Sequence, residues 1–242
     1  MAERIRVLTY NIRKGKGSDG RSSVPMSELG GALREHPIDL VLCQEVFHSA
    51  ESGGASQSHH LAQELGFDPY YGANKFREIG HHGNTTLTRL PVSLSENHDI
   101  STNRIERRGA LYVCIQLAST RLHVFNVHLG LNRWQRADQI SRVGELMAER
   151  CASGEPVVLA GDFNDWQKKL DPVITSTLGF HNAFAGQDER AIRTWHARRP
   201  VFNLDRIYVR GLGIERAERL AGEPWSGLSD HLPLWAELTV PT

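Results

Sequence analysis

Six times along the chain an apolar, strand-like run meets a polar residue of catalytic type at one of its ends. "VLTYN" ends on Asn11, "LVLCQE" on Glu45, "VFNVH" on His128, and "VVLAGDFN" on Asp162 and Asn164. "FNLDRIYV" and "GLSDHLPLW" reverse the order, placing Asp205 and then Asp230 and His231 just before the apolar residues. Strands laid side by side would bring these ends to one rim of the sheets, where the backbone supplies the preorganisation that catalysis needs. Each residue alone has a plainer explanation, since Asn and Asp commonly end strands and begin turns. Glu45 resists it, because a carboxylate at the end of a buried run is costly to bury without a partner.

The strands that carry these residues are readable. "RIRVLTYNI" puts Ile5, Val7 and Thr9 on one face, "IDLVLCQEV" is nearly all apolar, and "RLHVFNVHL" alternates Leu122, Val124 and Asn126 against His123, Phe125 and Val127. Helical signals fall in "MSELGGALREH" after Pro25, in "SQSHHLAQELG" closed by Gly66, and in "NRWQRADQISRVGELMAERC". The last opens on Asn132 with Gln135 three residues on, a capping box, and Trp134, Ile140, Leu146 and Met147 recur at near-helical spacing. Residues 83–130 contain strand-like runs with no helix between them, which predicts antiparallel pairing there. "HSAESGGASQS", residues 48–58, reads as a mobile loop and not as a domain boundary. The whole pattern fits two packed sheets flanked by helices, over one domain spanning residues 1–242.

Charge and cysteine usage exclude more than they assign. Lys plus Arg and Asp plus Glu are 28 each, so no general field draws the chain to polyanions. Cys43, Cys114 and Cys151 are odd in number and widely spaced, as structural thiols in a reducing compartment are. No run approaches the roughly 20 apolar residues of a membrane span. A cytoplasmic protein without stable membrane insertion is expected, and no protein partner is indicated. His59 with His60 and His81 with His82 are adjacent pairs whose side chains diverge, and no Cys or carboxylate spacing supports a zinc site.

The polar inventory suits phosphoester hydrolysis. Glu45 and Asp230 offer hard oxygen donors for Mg²⁺ or Mn²⁺. Asp162 could orient or deprotonate a water, and His128 and His231 could donate to phosphate oxygens as charge grows on them. Asp205 would hold one imidazole in its useful tautomer and raise its pKa.

With "TYNI", "CQEV", "GNTTLTRLPV", "NVHLG", "GDFND", "LDRIYV" and "SDHLPL" in this order from residue 9 to 234, the chain resembles the endonuclease/exonuclease/phosphatase superfamily. The resemblance implies a four-layer α/β/β/α sandwich, two mixed sheets face to face with helices outside. It implies that Glu45 binds a divalent metal with Asn11 beside it and Asp230 contributing, and that Asp162 positions the nucleophilic water. Asn164 would help bind the scissile phosphate, His231 oriented by Asp205 would contact phosphate or assist proton transfer, and His128 would bond a second phosphate oxygen. Arg13, where many relatives place His or an acid, and Thr85 and Thr86, where small apolar residues are usual, depart from the pattern.

Neither composition nor resemblance selects the substrate, which could be a small molecule, a lipid headgroup or a nucleic acid. Arg108 before a strand could clamp a phosphate, Asn84 belongs to the matched "GNTT" segment, and Trp195 sits in "RAIRTWHARRPVF" with Arg193, His196, Arg198 and Arg199. Base stacking on Trp195 would serve a nuclease, the alternative to a small-molecule or lipid phosphodiesterase or phosphatase. A non-catalytic phosphate-binding module is disfavoured because Glu45, Asp162, Asn164, Asp205 and His231 are all present.

Overall fold

A computed structural model describes residues 3–50 and 56–240. One six-stranded sheet contains β1 (Arg4–Asn11), β2 (Leu40–Ser49), β3 (Asp68–Arg77), β4 (Gly80–Thr88), β11 (Gly213–Arg219) and β12 (Leu234–Thr239), in the order β11-β12-β1-β2-β4-β3. The second contains β5 (Val92–Asp99), β6 (Gly109–Gln116), β7 (Arg121–His128), β8 (Val157–Asp162), β9 (His181–Asn182) and β10 (Asp205–Arg210), in the order β5-β6-β7-β8-β10-β9. Each sheet has one parallel pair at its centre, β1 with β2 and β7 with β8, and the other neighbours are antiparallel. A parallel pair needs a long crossover. Helix α1 (Met26–Arg34) lies within the first and α3 (Arg133–Arg150) within the second.

This topology explains why the polar residues follow the apolar run in four of the six cases and precede it in the other two. The parallel partners end together, Asn11 opposite Gln44 and His128 opposite Asp162. Their antiparallel neighbours begin at the same rim, with Asp205 opposite Asp162 and Leu234 opposite Thr9.

Three apolar layers hold the sandwich. Ile5, Val7, Leu42, Val113, Val124, Val158, Ile207 and Ala236 meet between the sheets. The outward residues Leu8, Tyr10 and Val41 pack under α1, α2 (Gln57–Leu65) and the short α4 (Trp225–Leu228). Phe125, Val127 and Leu159 pack under Ile140, Val143 and Met147 of α3. The central strands are thus buried on both faces, which is the four-layer α/β/β/α sandwich expected.

Local signals hold with three differences. The Asn132–Gln135 capping box forms, Ser56 caps α2, and Gly66 closes it in the left-handed region. Trp134, however, is 70% exposed while Ile140 is buried. Six helical positions turn about 240° at 100° per residue, so Trp134 leaves the buried face. Within residues 83–130, β5, β6 and β7 pair antiparallel, but β4 lies in the first sheet between β2 and β3, and β7 also pairs parallel with β8. Of the expected loop, residues 48 and 49 extend β2, Ser56 caps α2, and 51–55 lie outside the described residues. No described helix is long and apolar enough to cross a membrane.

Candidate active site

At the rim the inward faces turn from apolar to polar by the strand period alone. Inward Val158 and Ala160 are followed by Asp162, Val124 by Asn126 and His128, and Ile5 and Val7 by Thr9 and Asn11. Beneath the rim these residues join the sheets. Gln44 Nε2 donates to Asn126 Oδ1 at 2.8 Å and to Thr9 Oγ1 at 3.1 Å. Asn126 Nδ2 donates to Thr85 O at 2.9 Å, and Asn84 Nδ2 to Gly109 O at 3.0 Å and Asn126 O at 3.1 Å.

Asp162 is 1% exposed and is held from three sides. Its Oδ2 accepts from Asn11 Nδ2 at 2.9 Å, and its Oδ1 accepts from the Asn164 backbone N–H at 3.0 Å. His128 Nε2 and His231 Nε2 lie 3.4 and 3.8 Å from Asp162 Oδ2. Gly161 makes this position reachable. Its φ is +143°, and a Cβ there would stand 1.9 Å from Val127 O, so no side chain fits between β7 and β8 at the rim. Asn164, with φ of +50°, turns back so that its Nδ2 donates to Leu129 O at 2.9 Å.

The two histidines are set to opposite charge states. His231 Nδ1 meets Asp205 Oδ2 at 2.8 Å. Burial pulls its pKa down, but Asp205 and Asp162 outweigh this and raise it to about 10. His128 is pushed down to about 4 by burial and then by the Arg108 charge. At neutral pH His231 is therefore a cation and His128 a neutral imidazole.

Glu45 reaches the rim through a bulge. Cys43 faces Thr85 and Val46 faces Gly83, so one extra residue is accommodated in β2 at Gln44 and Glu45. Glu45 takes φ of +54°, a conformation costing about 1–2 kcal/mol for a residue with a Cβ. Burial raises its pKa, but the surrounding cations win and hold it at about 2. Those cations are His128, protonated at the low pH where Glu45 titrates, Lys14, which pairs directly with Glu45, and His231.

Arg13 and Lys14, both of positive φ, form a tight turn after Asn11, whose Oδ1 accepts from the Arg13 backbone N–H at 3.0 Å. Arg13 Nε lies 3.3 Å from Asp230 Oδ2, and the Trp195 indole donates to the same oxygen at 3.4 Å. The departure at Arg13 is thus a salt bridge to one of the proposed metal-binding residues.

These groups border a cleft of about 490 Å³ lined by Glu45, Arg108, His128, Asp162, Asn164 and His231, with Trp166, Trp195 and Phe202 among its apolar walls. Asn84 is 1% exposed and does not line it. Of the basic stretch, Trp195 reaches the cleft, whereas Arg198 turns away to donate to Ser18 Oγ at 2.8 Å. Asp165 accepts from the Leu170 N–H at 2.8 Å and so caps its turn.

Sequence reasoning missed Lys14 and Arg136. Arg136, 1% exposed on α3, donates to Leu131 O at 2.7 Å, stands 3.6 Å from Asp165 Oδ1 and covers the Trp166 ring at 4.8 Å. Its signal was an arginine on the apolar face of a helix. Lys14 gave only a Gly-flanked basic pair.

The profile of the Endonuclease/Exonuclease/phosphatase family matches residues 8–231. The chain belongs to this family. It is 37% identical over 244 residues to the uncharacterized protein YbhP of Escherichia coli K12, covering 97% of this chain and 96% of YbhP. Among solved structures, the family member from Bacteroides vulgatus superposes with a TM-score of 0.82 at 19% identity, covering 99% of this chain and all of that one. A mannosyl-6-phosphatase from Bacteroides thetaiotaomicron gives 0.76 at 18% identity, over 97% of this chain and 99% of that one. At such identities the structures share the fold. Within it, this family member gathers Asp162, Asn164, Asp205, His231, His128, Asn11 and Glu45 on one rim.

Proposed function

We propose that the protein is a divalent-metal-dependent hydrolase of phosphoester bonds, a phosphodiesterase or phosphatase. The observation that carries this reading is Asp162, its carboxylate fixed by Asn11 and Asn164 and flanked by one neutral and one charged histidine in an open cleft. Membership of a family that includes phosphatases and nucleases supports it.

Two groups of residues could hold the ion, and their chemistry separates them. Asp162, Asp205 and His231 have ligand atoms within 4.8 Å of one another. Protonated His231 has no lone pair to give, and its Nδ1 is engaged by Asp205, so this group serves as a proton-holding network. Glu45 stays ionised and faces the cleft, so it would hold Mg²⁺ or Mn²⁺, with Asn11 and Asp230 the further oxygen donors that the family resemblance implies. A bound ion there supplies charge neutralisation at the phosphate.

The protein's own residues do the rest. Asp162, unable to rotate, accepts a proton from an attacking water and directs its lone pair. Neutral His128 donates one N–H to a non-bridging oxygen, and Asn164 contacts the same phosphate. His231, kept charged by Asp205, offsets the negative charge that grows as the water attacks. Arg108, on the cleft wall, contacts the phosphate from the other side, and Asn84 acts from below by tying the sheets together.

Release of nitrophenol from bis-nitrophenyl phosphate with Mg²⁺ or Mn²⁺ tests the reading. Asp162→Ala should lower kcat about 10²–10⁴-fold, the range for a general base. Equal rates, or no wild-type rate with either metal, would sink it. The Trp195 ring, stacked on Phe202 at 6.0 Å between centroids, favours a second reading, a nuclease that stacks a base there. A panel of single-stranded DNA, duplex DNA, RNA, sugar phosphates and phospholipids separates the two.

A further inference from the structure

Beyond Glu45 and Arg108, and sharing both with the cleft, lies a second depression of about 440 Å³. The Arg13–Gly15 turn, the β3–β4 hairpin and the segment before β6 bring to it Lys14, Lys75, Arg77, Arg107 and Arg108, against two carboxylates, Glu45 and Glu106. In a chain with 28 cations and 28 anions, that excess is a local concentration.

The acids nearby are already engaged. Glu45 pairs with Lys14, Glu106 Oε1 holds Arg108 Nη2 at 2.8 Å, and Asp99 Oδ2 holds Arg107 Nη1 at 3.2 Å. Lys75 and Arg77 have no carboxylate partner among the described residues. Arg108, only 14% exposed, keeps a buried Nε without an acceptor at the boundary of the two depressions. His82, on the same wall, is pushed down to about 4 by burial and by the Lys14 charge, so it adds a neutral N–H donor and no further charge. The cleft itself is walled in part by the aromatic rings of Trp166, Trp195 and Phe202. A substrate held at Asp162 that extends past Glu45 and Arg108 therefore meets cations without carboxylate partners.

We propose that this depression is a second anion subsite, which takes a phosphate group of the substrate other than the one facing Asp162. The substrate class is then a phosphoester that carries a further phosphate on the same molecule. Lys75 and Arg77 recognise it, the guanidinium as a planar two-donor fork and the ammonium as a point charge. Which phosphate is attacked rests on the hydrolase reading above; the subsite itself is a matter of binding.

Calorimetric titration with propanediol, butanediol and hexanediol bisphosphates, each against the matching alkyl monophosphate in excess Mg²⁺, reads the subsite without turnover. At least one bisphosphate should bind about 10-fold or more tightly than its monophosphate. Lys75→Ala with Arg77→Ala should bring that ratio close to one, with an unchanged unfolding midpoint showing that the fold survives. Arg4→Ala with Arg121→Ala removes the same charge where β1 and β7 begin, at the opposite rim, and should keep the ratio. No bisphosphate advantage in the wild type, an advantage that survives loss of Lys75 and Arg77, or one lost equally in the opposite-rim variant overturns the subsite. A wild type inactive on bis-nitrophenyl phosphate overturns the hydrolase reading, and the binding comparison then decides the subsite by itself.

Discussion

His231 owes its charge first to Asp205, whose Oδ2 lies 2.8 Å from its Nδ1, and then to Asp162. Replacing Asp205 with Asn removes the charge and keeps the shape. The His231 pKa should then fall from about 10 toward the ordinary histidine value of about 6.5, followed by NMR of the ring protons. Activity that persists in the wild type to alkaline pH would decline above neutrality in the variant, and an unshifted titration would contradict the pairing. The same shifts fix how stability varies with pH. Folded His231 binds a proton that the unfolded chain releases near 6.5, so its contribution is full below that and lost as pH rises through about 10. His128, lowered to about 4, works in the opposite sense, and stability falls as pH drops from about 6.5 through 4. Urea unfolding across pH should therefore give a maximum near neutrality, and a maximum at pH 9 or above, roughly, would contradict these assignments. The residue types were legible because each follows or precedes an apolar run. The raised pKa beside Asp205 was expected as well, whereas the lowering of His128 was not, since it depends on burial and on the Arg108 charge.

At the level of single elements, β2 and β8 reach the rim by different backbone devices. The bulge at Gln44 and Glu45 lets both side chains face inward, which a regular strand forbids. Residue types alone did not show it, because an apolar run alternates the same way up to the bulge as without one. The exit at Gly161 was legible as a glycine ahead of an acid, though its reason, the Val127 carbonyl against its Cα, needs the parallel pairing of β7 and β8. Gly161→Ala should destabilise by about 2–4 kcal/mol, combining strain at a positive φ with overpacking, measured by urea unfolding. A loss under about 1 kcal/mol would mean that β7 and β8 separate easily at the rim. In α3, the capping box was readable from Asn132 and Gln135, whereas Trp134 lies off the buried face and Arg136 lies on it. Hydrophobicity alone therefore ranked those two the wrong way round.

Across the whole molecule, an apolar interior grades into a polar layer and then into the site. The alternation of strands and helices made the layering legible, and the matched segments fixed which strand ends belong together. What could not be read was the contact between sheets, where Gln44 meets Asn126 from 82 positions away. Asn126→Leu should test whether this layer matters, since it removes the acceptor that Gln44 Nε2 meets at 2.8 Å and the donor to the Thr85 and Cys43 carbonyls. Losing two buried partners predicts about 2–4 kcal/mol of destabilisation, and a neutral effect would show that the layer is dispensable.

In the proposed reaction Glu45 and Asp162 divide the labour, Glu45 holding a cation and Asp162 directing the water. Nitrophenol release from bis-nitrophenyl phosphate, titrated with Mg²⁺ for wild type, Glu45→Gln and Asp162→Asn, tests it directly. Glu45→Gln should need at least about 10-fold more Mg²⁺ and then recover much of the wild-type rate. Asp162→Asn should stay about 10²-fold or more below wild type at every Mg²⁺ concentration. Superimposable titrations for all three proteins, or recovery of Asp162→Asn by added metal, would contradict it.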